Sequence, residues 1–281
     1  MPITLSPLRY PGGKTQIAPF VDALIEQNGL LGETYCEPFA GGCGIAWHLL
    51  LNERVSKVAI NDLNPAIYSF WHSVLNEADA LCERIESTPI TIDEWVRQKN
   101  ILSQNKIGLD LGYAALFLNR VNRSGILTAG VIGGKAQTGD YRIDCRFNKE
   151  SIIRKIQNIT LRKDQVILTN LDANEFLSNA LPRIEGKVFI NIDPPYYNKG
   201  KQLYQNFFQH DDHVRLYKTI KQIKHPWMVT YDNTPEILRL YNEFNPKPFN
   251  LNYSAQVKRK GAELVMYSLN LNVQNLHLGV G

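Results

Sequence analysis

The apolar run from Val188 to Ile192 leads straight into Asp193-Pro194-Pro195-Tyr196. A carboxylate, two rigid residues and an aromatic ring thus occupy consecutive positions. Two prolines in a row fix their own φ and bias the residue before each toward extended backbone. At the carboxyl end of a strand such a turn aims three groups at one point: the Asp193 carboxylate, a proline carbonyl (Pro194 is the candidate) and the Tyr196 ring. Carboxylate and carbonyl accept hydrogen bonds, and an exocyclic amine has two N–H groups to give. An amine held in this way keeps its lone pair directed at an electrophilic methyl for in-line displacement, through positioning and without a strong base. The Tyr196 face suits stacking on a base, which has to leave a duplex to reach such a site. The competing reading of Asp-Pro-Pro as a plain turn is weaker at the end of so apolar a strand.

A second constellation is Glu37-Pro38-Phe39-Ala40-Gly41-Gly42. Small residues after a strand let backbone approach a ligand, with a helix N-terminus behind them. Asp62 stands at the end of the next strand, where a carboxylate accepts hydrogen bonds from ribose hydroxyls; its alternative is to cap the helix that follows. The dinucleotide fingerprint GxGxxG does not fit between Gly41 and His48, which counts against an oxidoreductase. A third is Leu8-Arg9-Tyr10-Pro11-Gly12-Gly13-Lys14-Thr15. Gly-Lys-Thr suggests a phosphate loop, but that spacing needs a glycine where Leu8 stands and a strand before it. A tight glycine turn bringing Tyr10 and Lys14 into one cleft fits better, with Lys14 facing a ligand carboxylate or, alternatively, solvent.

The elements that position these groups follow an α/β rhythm. Thr34 to Phe39 reads as a strand, Ile45 to Leu51 as the start of a helix and Val55 to Ile60 as a second strand, a βαβ unit of the kind that builds a parallel sheet. From Pro65 to Thr160 the pattern changes to helical stretches (Ala66–Leu75, Ile92–Leu102, Leu109–Asn119) and a Gly-rich basic loop. Strands resume at Val166–Thr169, Lys187–Ile192 and Trp227–Tyr231, with an amphipathic helix over Asp211–Ile223. Segments 247–257 and 263–271 suggest a terminal hairpin. The economical reading is a discontinuous catalytic domain, residues 1–64 and 161–281, interrupted by a mostly helical insertion, residues 65–160.

Net charge is only +4, but Phe117 to Lys163 holds ten Lys/Arg against three Asp/Glu, so +7 sits there. With Tyr141 and Phe147 among them, these residues suit a polyanion; a solvated basic face is the alternative. No apolar run is long enough to cross a bilayer and the start lacks the layout of a secretory signal. Cys36, Cys43, Cys82 and Cys145 show no metal or disulfide spacing, so a reduced, cytoplasmic protein is expected. His210-Asp211-Asp212-His213 imitates a metal cluster but sits where a helix begins, and acidic residues favour a first turn; no metal is expected.

Taken along the chain, in the order cofactor motif, inserted recognition domain and Asp-Pro-Pro-Tyr, the motifs resemble the Dam-type DNA adenine N6-methyltransferases. The resemblance covers Arg9 to Lys14, Glu37 to Gly42, Asn61 to Asn64, Phe117 to Gly125, Tyr141 to Asn148, Asp193 to Tyr196 and Lys260 to Leu264. It implies a Rossmann-like, S-adenosylmethionine-dependent methyltransferase sheet with an inserted DNA-recognition domain. By the same resemblance Tyr10, Lys14, Phe39, Ala40 and Gly41 touch S-adenosylmethionine, Asp62 holds its ribose, Asp172 lies near its adenine, and Asp193 with Tyr196 holds the target base. S-adenosylhomocysteine is then the product. Cys43 stands where relatives often carry a glycine-like residue, which leaves the backbone path there open. The recognition region implies DNA contacts from Arg9, Asn119, Arg120, Asn122, Arg123, Arg142, Arg146 and Asn148, since Arg can read guanine, Asn can read adenine and Lys or Arg can hold phosphates.

The expected activity is therefore site-specific methyl transfer to N6 of adenine in double-stranded DNA, by a monomer with no membrane partner. A cognate restriction endonuclease acting separately on the same site fits that role. The acceptor clamp by itself also suits N4 of cytosine or adenine in RNA, and a silent DNA-binding protein on the same scaffold is a further alternative. The insertion, not the clamp, favours adenine in DNA.

Overall fold

A computed structural model of the chain describes residues 4–9, 14–198, 208–253, 259–276 and 278. It divides into two compact units, one of Met1–Pro2, Lys14–Leu63 and Gln165–Gly281, the other of Ile3–Gly13 and Asn64–Asp164. Residues 4–9 thus go with the insertion and not with the sheet.

The first unit begins with α1 (Ala18–Gln27), β1 (Thr34–Glu37), α2 (Gly44–Leu51) and β2 (Lys57–Asn61). The second unit follows with α3 (Pro65–Asn76), α4 (Ala78–Ser87), α5 (Ile92–Gln104), α6 (Leu109–Val121) and α7 (Lys149–Thr160). The first unit then resumes through β3 (Val166–Thr169), β4 (Val188–Ile192), α8 (His210–Ile220), β5 (Trp227–Asp232), α9 (Pro235–Leu240), β6 (Lys247–Tyr253) and β7 (Arg259–Tyr267).

These strands form one seven-stranded sheet in the order β3-β2-β1-β4-β5-β7-β6. The first five pair in parallel, and β7 runs antiparallel to both β5 and β6. This is the α/β architecture of a Rossmann-like methyltransferase. Every residue of β1 and β4 is buried, as expected of parallel strands covered on both faces. Val188, Ile190 and Ile192 of β4 share a core with Leu216 and Ile220 of α8, Val229 and Tyr231 of β5, and Leu264 and Met266 of β7. Burying such a side chain is worth about 1.5–3 kcal/mol each. From β1 the chain builds outward through β2 and β3 on one side and returns as β4 on the other. The carboxyl ends of β1 and β4 therefore flank the point where strand order reverses, the usual ligand crevice of an open α/β sheet.

The terminal hairpin is present but displaced from the expected boundaries: β7 starts at Arg259 and stops at Tyr267. Its limit is set by pairing with β5, in which Met228 faces Tyr267 and Asp232 faces Glu263. Beyond it Ser268 accepts the Trp227 N–H on its hydroxyl and the chain turns.

In the second unit α6 is the central helix, buried from Leu111 to Asn119. Gly112 lets α3 approach it closely, since a Cβ there would lie 2.6 Å from the Ser69 carbonyl oxygen. The helices α4 and α7 escape the apolar scan. Ile152, Ile156 and Ile159 nevertheless recur at helical spacing along α7 and are buried, and the Asn148 side-chain oxygen caps that helix by accepting from Ser151 N–H at 2.8 Å.

Candidate active site

Both glycine turn and acceptor turn lie at the carboxyl edge of the first unit's sheet. After β1 the chain tightens through Gly41 (φ +46°) and Cys43 (φ +49°) before α2 starts. Cys43 takes the left-handed conformation that glycine adopts freely, which accounts for a glycine-like residue suiting that position. Ala40 N–H reaches the Asn61 carbonyl at 2.8 Å, and Gly41 N–H reaches the Asp62 carboxylate at 2.8 Å. Asp62 therefore braces the turn it was expected to face.

Asn61, buried beside it, ties three loops together. Its amide donates to the Pro38 and Leu171 carbonyls at 3.0 Å each, and its oxygen accepts from Leu171 N–H at 2.9 Å and Thr169 hydroxyl at 2.7 Å. Phe39, partly buried, meets Phe208 edge-on at 5.9 Å. Asp172 caps the helical turn after it through Asn174 N–H at 3.0 Å and lies 3.5 Å from Arg215. Tyr10 falls outside the described residues.

The Asp193 carboxylate accepts from the Thr230 hydroxyl at 2.9 Å and lies 3.5 Å from the Lys14 ammonium. Burial pushes its carboxyl up, while Lys14 and the Thr230 hydroxyl pull it down. Lys14, 6 % exposed, also pairs with Glu263 and donates to the Tyr196 hydroxyl at 3.3 Å. That hydroxyl donates to Glu263 Oε1 at 2.7 Å. One residue on, Asp232 accepts Tyr197 N–H at 2.7 Å and Asn198 N–H at 3.0 Å, fixing the chain as it leaves the proline pair. Pro194 and Pro195 are buried. Glu37 completes the acidic set: burial raises its carboxyl to about 8, and it is held by the Tyr35 hydroxyl at 2.9 Å and the Ala46 N–H.

The structure thus brings Lys14, Asp193 and Tyr196 together, with Asp62 bracing the neighbouring glycine turn. Four supporting residues were not singled out in the sequence: Asn61, Thr230, Asp232 and Glu263. Asn61 and Glu263 lie within segments of the resemblance, Asn61 to Asn64 and Lys260 to Leu264; Thr230 and Asp232 lie within none. His210 and His213 belong to a helix start closed by a reciprocal cap between Gln209 and Asp212. His213 is buried among Tyr197, Phe208 and Tyr231, which lowers it to about 4 through loss of solvent. Among the described residues no group of three or more His, Cys, Asp or Glu is placed to hold a metal ion.

In the second unit the expected DNA-facing residues separate by type. Asn119 spends its amide on Arg9 and Gly125: it accepts Arg9 N–H at 2.7 Å and donates to the two carbonyls at 2.6 and 2.9 Å. Asn122 accepts from the Trp95 indole at 2.8 Å and donates to the Ile126 and Leu127 carbonyls. Both asparagines are buried, and Asn148 is the α7 cap. All three act as scaffold here, because their short amides match backbone groups at loop and helix ends.

The arginines differ. Arg123, Arg142 and Arg146 are exposed. Arg9 donates to the Arg120 and Asn122 carbonyls. Arg120 is lowered to about 10 by burial and by Arg9 and Arg146 nearby. Arg9, Arg120 and Arg146 thus lie close enough to repel one another.

Two comparisons bear on this arrangement. Residues 10–255 match the sequence model of the D12 class N6 adenine-specific DNA methyltransferases. The chain is also similar to the Type II methyltransferase M.MjaIII of Methanocaldococcus jannaschii, 24 % identical over 237 residues, covering 77 % of this chain and 79 % of that protein. With the acceptor turn, the glycine turn and the sheet order all accounted for, the chain belongs to the D12 class N6 adenine-specific DNA methyltransferase family.

Proposed function

We propose that this enzyme transfers the methyl group of S-adenosylmethionine to N6 of a flipped-out adenine at a specific site in double-stranded DNA. The observation that carries the reading is the Asp193 carboxylate, held by Thr230 and Lys14 at the end of β4 beside the glycine turn braced by Asp62. Such a carboxylate accepts one N–H of the adenine amine and the Pro194 carbonyl accepts the other, leaving the nitrogen lone pair free. The cofactor supplies an electrophilic methyl on a positive sulfur. The donor set suits that charge, since two acids, Asp193 and Glu263, face one ammonium, Lys14.

Tyr10, Lys14, Phe39, Ala40, Gly41, Asp62 and Asp172 form the proposed cofactor contacts. Tyr196 gives the stacking face for the extruded base. The 65–160 insertion is the proposed DNA-reading domain, with Arg9, Arg120, Arg123, Arg142 and Arg146 supplying its cationic contacts. The chain works as a monomer, with a separate restriction endonuclease acting on the same sequence. No described helix is long and apolar enough to cross a membrane.

The test is to incubate the purified protein with plasmid and S-adenosylmethionine and identify methylated nucleosides by mass spectrometry. N6-methyladenine is expected. Asp193→Ala should reduce transfer at least about a hundredfold, the scale of losing correct placement, with duplex binding retained in a gel shift. N4-methylcytosine as product, or near wild-type transfer by the variant, would refute the proposal.

A further inference from the structure

The face of the sheet beneath the acceptor turn carries a pattern that its assigned residues do not explain. Directly opposed residues of antiparallel strands share a face. In the β5–β7 pair Thr230 opposes Val265 and Asp232 opposes Glu263, whereas Val229, Tyr231, Leu264 and Met266 on the other face all belong to the apolar core. Three polar side chains on one face therefore grip three successive parts of one turn. Thr230 holds the Asp193 carboxylate, Asp232 holds the backbone of Tyr197 and Asn198, and Glu263 holds the Tyr196 hydroxyl.

Glu263 stands out among them. It is 1 % exposed, and an acid so buried is costly unless both its oxygens are paired. Here they are: Oε1 takes the Tyr196 hydroxyl at 2.7 Å and Oε2 takes the Lys14 ammonium. The Lys14 nitrogen lies 5.3 Å from the centre of the Tyr196 ring. The charged groups around Glu263 are Lys14 from the N-terminal turn and Asp193 from the end of β4; Tyr196 adds its neutral phenol. Lys14 and Tyr196 stabilise the carboxylate and Asp193 opposes it.

We propose that Glu263 is a positioning residue for the methyl acceptor: its carboxylate locks the Tyr196 hydroxyl to the Lys14 ammonium and so fixes the plane on which the target base stacks. A phenol held only by packing can swing about its two side-chain torsions. Holding its oxygen stops the swing about χ1, and because a phenol O–H prefers the ring plane, its direction toward Glu263 also sets that plane, which the stacked base inherits. This role rests on the reading of Tyr196 as the stacking face.

The experiment pairs two isosteric variants with two readouts. In Glu263→Gln one acceptor oxygen becomes a donor, so the side chain can no longer accept from both the Lys14 ammonium and the Tyr196 hydroxyl; Tyr196→Phe opens the same three-group lock from its hydroxyl side and preserves the test should the first variant fold poorly. Each is expected to lower kcat about tenfold, the scale of one charge-assisted hydrogen bond, with KM for DNA nearly unchanged. The double variant should fall within about twofold of Glu263→Gln alone, since both changes open one shared lock. Independently of activity, carbon-13 labelling of the tyrosine ring carbon that bears oxygen reports the bond by NMR. The Tyr196 signal, assigned by its loss in Tyr196→Phe, should shift in Glu263→Gln.

An unmoved signal would refute the lock. Undiminished kcat in both variants, or single effects that multiply in the double variant, would refute its role in positioning. A wild-type protein that methylates no nucleic acid while the signal shifts would overturn the acceptor reading and leave the lock standing.

Discussion

Thr230→Val isolates the hydroxyl that orients Asp193. The two side chains have nearly the same shape, and valine suits the middle of a strand. Thr230 is fully buried, so water does not replace the missing donor. What is lost is one hydrogen bond of 2.9 Å to a carboxylate, worth about 1.5–3 kcal/mol for a charged partner. At about 1.4 kcal/mol per factor of ten, the whole of it would slow transfer about ten- to a hundredfold. Lys14 remains 3.5 Å away, so the lower end applies.

A second signature follows from protonation. The Thr230 hydroxyl pulls the Asp193 carboxyl down against burial, so its removal lets the carboxyl rise further. The working form is the carboxylate, which is lost as pH falls through that raised value. Single-turnover rates on a duplex oligonucleotide, measured across pH with saturating cofactor, should show the acid limb of the variant displaced to higher pH and the deficit growing toward acid. Rates within twofold of wild type across the whole range would refute the idea that this hydroxyl holds the acceptor carboxylate.

Glu37→Gln should raise stability, by an amount that depends on pH. The native carboxyl titrates near 8 because burial disfavours its charge; the unfolded one titrates near 4.3. The native state thus binds the extra proton, and wild-type stability declines as pH rises between those two values. The variant lacks that decline, so the gap in melting temperature should open from weakly acid to neutral pH and level off above about 8; a constant gap would contradict it. Gly112→Ala should destabilise the helical unit by about 1–3 kcal/mol, the usual cost of overpacking, because its methyl would meet the Ser69 carbonyl oxygen at 2.6 Å; denaturant unfolding checks this.

The sequence made legible whatever is contiguous. Asp193-Pro194-Pro195-Tyr196 announces its chemistry because one rigid turn carries all its groups, and the glycine turn after β1 does so through its small residues. The braces stay hidden because they come from elsewhere. Thr230 lies 37 residues from Asp193, and Glu263 lies 67 from Tyr196. Only the neighbour order β4-β5-β7 brings them under the turn.

Asparagine is the other blind spot. The same amide reads a base edge or satisfies stray backbone groups, and burial decides which; Asn119 and Asn122 are inside the fold. Along α7 interleaved basic residues mask the Ile152, Ile156 and Ile159 spacing that marks the helix.

The lock between Lys14 and Glu263 joins positions 249 residues apart, which sets a clock on biosynthesis. At roughly 5–20 residues per second, the ammonium leaves the ribosome's active centre about 10–50 s before its closest counter-ion exists. For the last 67 residues of that interval, roughly 3–13 s at the same rate, the acceptor turn has been made but lacks the strand that fixes its tyrosine. Competence for transfer should therefore appear late and all at once, when β7 slides between β5 and β6. A nascent chain carrying every recognisable motif of the clamp would still be inert toward the DNA around it.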